Sequence, residues 1–287
     1  MSAPAVAGQK VLVTGAGSGI GRSTALLYAS RGAALALAGR RKARLDDVRA
    51  QCLDAGAGHV VVVPTDVTDA DACERLLATV VETLGGLDLC VHAAAVVAFG
   101  RLEDMPLEGV DRVVETNLLG SVRLARPVLR VFRERGAGTL VLVGSLLGRV
   151  AVPEMGAYVI SKWGVRGLAK TLELETRDAP DVHVRLVSPG SVDTPIYVTA
   201  GNWVGRQARP PWPADDADDV ARAIARSVDS PRLERLSGWA TPVVVAGSVI
   251  VPRVYGALIG PVLRFLTFTR HPTAPGPGNL WQPDDGE

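Results

Sequence analysis

Tyr158 and Lys162 stand four positions apart in the segment Tyr158-Val159-Ile160-Ser161-Lys162, inside a stretch read as helical, so both side chains leave one helix face. A phenol beside an ammonium is an arrangement for moving a proton. A free tyrosine titrates near 10, and exchange near neutrality needs that value lowered by roughly 2 to 3 units, which is about 3 to 4 kcal/mol. One cation ~4 Å away at an effective dielectric of ~20 supplies about 4 kcal/mol, so Lys162 suffices in principle. Ser145 lies thirteen positions before the tyrosine, where Leu142-Val143-Gly144-Ser145 closes a predicted strand. Judged alone the pair is weak, because the same spacing recurs wherever a helix simply packs.

A second cluster points to phosphate. Thr14-Gly15-Ala16-Gly17-Ser18-Gly19-Ile20-Gly21 follows a predicted first strand and runs into the helical Arg22-Ser23-Thr24-Ala25-Leu26. Glycines there let the main chain turn sharply and approach a pyrophosphate, whose charge the free N–H groups at the helix start receive. The spacing is G-x-x-x-G-x-G rather than G-x-G-x-x-G, and a tight turn without a ligand is the bland alternative. About twenty residues on, the second strand ends Leu37-Ala38-Gly39-Arg40-Arg41. A carboxylate at that point selects NAD through the ribose 2′-hydroxyl; two arginines can meet a 2′-phosphate instead, which favours NADP(H). The competing reading makes Arg40 and Arg41 the solvated start of the basic helix that also carries Lys42, Arg44 and Arg49.

These residues need a frame to hold them. Short apolar runs recur at 10–14, 33–38, 60–63, 87–92, 139–143 and 182–187, separated by helical patterns at 45–55, 70–84, 110–135 and 157–177. Runs without alternation belong to strands buried on both faces. The expected fold is therefore α/β, a doubly wound Rossmann-type parallel sheet of about seven strands with helices on both faces. Gly32, Gly56, Gly85 and Gly136 fall where C-terminal caps belong. The expected divisions are a catalytic domain over 1–239, with a lid at about 190–215 and a short helix at 216–228; an apolar helical extension over 240–270; and a loose tail over 271–287. The lid reading rests on Pro195, Pro210, Pro211, Pro213, Trp203 and Trp212. The extension is too broken by Pro252, Arg253, Pro261 and Arg264 to span a membrane. A helix pair packed on the domain or in a dimer interface is the first reading, and attachment of 240–268 to a membrane surface the second.

Composition removes other classes. The 287 residues include Lys+Arg 31 against Asp+Glu 30, a net charge of +1 that offers no nucleic-acid footprint. Cys52, Cys73 and Cys90 are odd in number, and neither they nor the four histidines have metal-ligand spacing. No metal is expected. The first ten residues, MSAPAVAGQK, lack the basic and apolar regions of a signal peptide, so a cytoplasmic protein is expected.

Taken together, these motifs resemble the short-chain dehydrogenase/reductase family in its compact form, over about residues 9–236. The matching positions are the glycine loop, Asp66-Val67, Asn117, Ser145, Tyr158, Lys162, and Pro189-Gly190 with Thr194. The resemblance implies hydride transfer between a nicotinamide and a carbon bearing oxygen. It makes Tyr158 the general acid/base, Ser145 the holder of the substrate oxygen, Lys162 a ribose ligand that lowers the tyrosine pKa, and Asn117 the support of a water-linked proton relay. By the same resemblance the cofactor site comprises Gly15, Ser18, Gly19, Ile20, Gly21, Arg40, Arg41, Asp66 at the adenine edge, Val67, His92, Ala94, Tyr158, Lys162, Val192 and Thr194. One departure stands out: His92-Ala93-Ala94-Ala95 replaces the family's usual Asn-Asn-Ala-Gly, so His92 reads as a structural histidine before an extra proton donor. A homodimer or homotetramer through 110–135 and 157–177 is implied. Val96, Val97, Phe99, Val152 and Trp203 suggest a cleft for an apolar carbonyl or alcohol. The alternatives are a nucleotide-sensing protein without turnover and a reductase of lipid-like substrates at a membrane surface.

Overall fold

In the computed structural model, which describes residues 7–282, the apolar runs become strands and the segments between them become the covering helices. In chain order they are β1 (Lys10–Thr14), α1 (Gly19–Ala29), β2 (Ala34–Gly39), α2 (Lys42–Asp54), β3 (His59–Pro64), α3 (Ala70–Leu84), β4 (Leu89–His92), β5 (Ala98–Phe99), α4 (Leu107–Val114), α5 (Gly120–Arg135), β6 (Gly138–Val143) and α6 (Gly156–Glu175). There follow β7 (Val182–Pro189), β8 (Val192–Asp193), β9 (Gly201–Asn202), β10 (Arg206–Ala208), β11 (Asp215–Asp216), α7 (Ala217–Val228), β12 (Glu234–Ser237), α8 (Ala240–Ile250), α9 (Pro252–Thr267) and β13 (Phe268–Pro272).

Seven strands form one sheet in the order β12-β7-β6-β4-β1-β2-β3, every neighbouring pair parallel. This is the doubly wound α/β sheet, and its strand order reverses beside β1, where such sheets open a crevice at their carboxyl ends. Alternation sorts the core into two layers. Val11 and Val13 face Tyr28 of α1 and Ile224 of α7, whereas Leu12 faces Leu76 and Leu124 of α3 and α5. The polar edge strand β12 was not among the apolar runs.

Local chemistry sets the helix ends. Asp69 accepts a hydrogen bond from the Ala72 N–H and caps α3, while Gly85 (φ 70°) closes it in the left-handed region that glycine adopts without strain. The helix expected over 110–135 is in fact α4, a π turn over Glu115–Leu119, and α5. The wider turn follows from Asn117, whose buried amide is drawn into main-chain pairing with Val96.

The excursion expected as a lid carries paired short strands rather than loose coil: β8 with β11, β9 with β5, and β10 with β13. Beyond it, α8 and α9 are the helical extension. Arg264 of α9 reaches the buried Glu154 in an ion pair, and Tyr255 donates to the Ala151 carbonyl at 2.9 Å. Their outward side remains open: Ile250 is 76% and Phe265 78% exposed. Among the described residues no helix is long and apolar enough to cross a membrane.

The reading of 271–287 as a loose tail is corrected for the residues described. β13 pairs antiparallel with β10, Gly276 bridges to Asn202, and Leu280 is fully buried beside Val96, Met105 and Val113. One apolar side chain with a prepared cavity outweighs the proline- and glycine-rich composition around it. Residues 283–287 lie outside the described part.

Candidate active site

The crevice begins in the glycine loop. Gly15 has φ 67°, and a Cβ there would lie 2.7 Å from the Ala94 nitrogen; one on Gly21 would strike the Gly15 carbonyl. The loop therefore presses against 93–94 and against its own helix start, leaving the N–H groups of α1 uncovered for an anion. Ser18 stands at the N-cap of α1 without a side-chain capping bond. Gly15, Ser18, Gly19, Ile20, Gly21, Arg40, Arg41, Asp66, Val67, Ala94 and Thr194 all line this one crevice. A cradle that a Cβ would fill, a helix start and two guanidinium groups fit a dinucleotide phosphate.

Several expected ligands are engaged differently. Arg40 donates to the carbonyls of Asn279 (2.7 Å), Leu280 and Trp281 (both 3.1 Å). Asp66 accepts from the Thr68 N–H and hydroxyl and from Arg112 at 3.0 Å; these bonds and the guanidinium outweigh burial and hold its carboxyl below the usual range. Val192 is buried in β8 and His92 in β4, and neither lines the crevice.

The His92 side chain is engaged with β1 rather than with the crevice. Its Nδ1 shares a 2.7 Å hydrogen bond with the Thr14 hydroxyl, and its Nε2 is buried without a partner. Burial, with Lys162 assisting, pushes its pKa down from 6.5 to about 3. The unfolded chain takes up this proton below about 6.5 and the folded chain does not. Stability is therefore intact above pH 6.5 and falls by about 1.4 kcal/mol per pH unit as pH drops toward 3. Between pH 6.5 and 5 the expected loss is about 2 kcal/mol. His92→Asn should flatten that slope in denaturant titrations; an unchanged slope refutes the assignment.

Tyr158, Lys162 and Ser145 converge at the other end. Ser145 lies two residues past β6, its hydroxyl accepting from the Leu147 N–H at 3.1 Å. Lys162 lies over the Tyr158 ring, 5.5 Å from its centroid, and donates to the Val143 carbonyl at 2.9 Å. The lowered phenol pKa expected from the sequence is not what the site shows. Burial is the dominant influence and pushes the phenol up, Tyr197 adds to it, and the Ser145 hydroxyl pulls it down. Burial likewise lowers Lys162, to about 8.

Asn117 is committed to structure. Its oxygen accepts from the Val96 N–H (2.8 Å), and its amide donates to the Val96 carbonyl (2.9 Å) and to the Ser161 hydroxyl (3.1 Å). It ties the chain after β4 to α6 and so fixes the helix bearing Tyr158.

Ser145 and Tyr158 also line a second, largely apolar pocket, and Ile196 belongs to both cavities. Val97 and Val152 line it as expected, with Trp212 of the excursion; Phe99 and Trp203 do not, being packed in the core instead. Its remaining wall is α8 and α9, through Val244, Tyr255, Ile259, Leu263 and Leu266. Sequence reading missed this wall as well as Thr116, Thr199 and Asn279 in the crevice. The one signal available was that no acidic residue occurs between Glu234 and Asp284, which marks a stretch built to cover apolar surface. Among the described residues no group of three metal-ligand side chains exists, and the three cysteines are buried thiols.

A family model described as short chain dehydrogenase matches residues 9–204. The chain is 36% identical to a glucose 1-dehydrogenase of Gluconobacter oxydans over 67% of its length and 73% of the relative's. It is 35% identical to 11-beta-hydroxysteroid dehydrogenase A of Sesamum indicum, over 67% of this chain and 54% of that one. Among solved structures, a short chain dehydrogenase/reductase from Burkholderia phymatum in complex with NAD is 26% identical with a TM-score of 0.76, over 95% of this chain and 99% of that one. An alcohol dehydrogenase from Thermococcus sibiricus complexed with 5-hydroxy-NADP is 28% identical with a TM-score of 0.69, over 79% and 95%.

Proposed function

Because this chain belongs to the short-chain dehydrogenase/reductase family, oxidoreductases acting between alcohols and carbonyls, we propose that it interconverts a carbonyl and an alcohol on an apolar small molecule with NADP(H). The observation that carries this reading is the placement of Ser145 and Tyr158 in the wall of an apolar pocket that shares Ile196 with the phosphate-binding crevice. A bound nicotinamide dinucleotide supplies the hydride chemistry. Arg41, at the N-cap of α2, gives the crevice positive charge where an acid would select the other nucleotide.

The chain's own residues do the rest. Ser145 holds the substrate oxygen through its hydroxyl. Tyr158 exchanges a proton at its own hydroxyl, and the burial that keeps the phenol protonated suits it to donate to an oxygen gaining charge. Lys162, over the ring face, stabilises the phenolate left behind. Asn117 positions α6, and the α8–α9 wall excludes water, which strengthens each of these interactions.

The test is NADPH oxidation across ketones, aldehydes, steroids and acyl-chain β-ketones, with NADH alongside. Turnover of apolar carbonyls is expected, with NADPH favoured at least tenfold. A strong NADH preference removes the arginine argument, and turnover confined to small polar carbonyls removes the apolar substrate.

A further inference from the structure

After β13 the chain does not leave the molecule. The Thr273 N–H donates to the Gly205 carbonyl, Gly276 and Asn202 exchange two main-chain bonds, and the Asn279 N–H donates to the Thr199 carbonyl at 2.9 Å. The Asn279 amide also donates to the Thr199 hydroxyl at 2.9 Å. Gly278 lies at φ 52°, in the left-handed region, where a Cβ would run into the carbonyls of Thr199 and Ala200; only glycine brings the backbone so close. This end of the segment is fastened to the excursion that follows β7.

The next residues are fastened elsewhere. Arg40, just past the end of β2, holds the three successive carbonyls of Asn279, Leu280 and Trp281. Arg112 of α4 donates to the Leu280 carbonyl at 2.9 Å while pairing with Asp66 at 3.0 Å. The Leu280 side chain is fully buried beside Val96, Met105 and Val113. β2 and β7 lie on opposite sides of β1 in the sheet, so the segment runs across the mouth of the crevice from one half of the fold to the other. Asn279 lines that crevice, and its side-chain oxygen is buried without a hydrogen-bond partner, an acceptor in want of a donor.

We propose that residues 276–281 are a strap closing over the bound dinucleotide, with Asn279 a cofactor-binding residue and Arg40 and Arg112 the positioning residues that fasten it. The strap rests on the dinucleotide reading of the crevice. It also divides the two arginines after β2. Arg40 spends its fork on the strap, which serves NADPH and NADH alike, whereas Arg41 serves the 2′-phosphate that only NADPH carries. The Asn279 oxygen offers an acceptor to a ribose hydroxyl or an adenine amino group, and the nucleotide enters or leaves only when the strap lifts.

Dissociation of NADPH and of NADH, followed by nucleotide fluorescence after rapid dilution, tests this on the full chain, on a chain ending at Pro272, and on Arg40→Ala and Arg41→Ala. Loss of the strap should speed release of both nucleotides at least tenfold. Arg40→Ala should speed both by similar factors, and Arg41→Ala should act on NADPH alone. Release rates equal in the full and shortened chains, or an Arg40→Ala effect confined to NADPH, overturn the strap. Should the shortened chain not fold, hydrogen exchange on the unaltered protein decides. Saturating NADPH should slow exchange of the Asn279 amide at least tenfold, and no change overturns the proposal. If the full chain binds neither nucleotide, the dinucleotide reading fails and the strap with it; binding with strap-independent release removes the strap alone.

Discussion

Tyr158→Phe should lower kcat by about 10³-fold while leaving the NADPH dissociation constant within twofold, because a positioned acid/base contributes roughly 10² to 10⁴ in rate and nothing to resting nucleotide binding. The substitution removes one oxygen and little else. The ring keeps its place beside Val96, Met105 and Ala157 and stays under the Lys162 ammonium. A folding defect is therefore not expected, and the thermal midpoint should hold or rise as a buried hydroxyl disappears. The variant also separates an enzyme from a nucleotide-sensing protein that happens to retain the motif. Such a sensor has no turnover to lose, so a wild-type chain without carbonyl reduction, or a variant with unaltered kcat, defeats the acid/base role. Steady-state kinetics beside a fluorescence titration of NADPH give both readouts.

What the sequence made legible is what local physics determines. The glycine loop could be read because only a sharp turn against a helix start needs Gly15 and Gly21, and the structure shows the close approaches that exclude a Cβ there. The strands could be read because a sheet covered on both faces leaves no polar alternation. Elements fixed by distant partners could not be. β12 is polar and becomes a strand only through pairing with β7. The π turn around Asn117 exists to satisfy Val96, twenty-one residues away. Arg40 carried the right charge in the right place for a phosphate, yet its partners are carbonyls 239 to 241 residues along the chain. The carboxy-terminal segment failed for the same reason: composition around Leu280 signals a loose end, and one buried leucine with five side-chain–carbonyl and side-chain–hydroxyl bonds reverses it.

Lys162→Met should make the protein slower and more stable together. The ammonium is buried, and burial lowers its pKa from 10.5 to about 8. Between pH 8 and 10.5 the unfolded chain holds this proton and the folded chain has released it, so stability rises with pH across that window; below pH 8 the folded protein carries the whole cost of a buried cation. A difference of about 2.5 units corresponds to about 3 kcal/mol. Methionine fills a similar volume without charge, and the loss of the 2.9 Å bond to the Val143 carbonyl gives back about 1 kcal/mol. A net gain of about 2 kcal/mol at pH 7 is therefore expected in urea titrations, together with a flatter stability profile from pH 8 to 10. The same substitution leaves the Tyr158 phenolate without its nearest cation, and kcat should fall by about 10²-fold. On the proposed mechanism, the charge that costs stability at neutral pH acts next to the phenol. A variant less stable than wild type at pH 7 but undiminished in rate would show instead that the lysine is kept for packing.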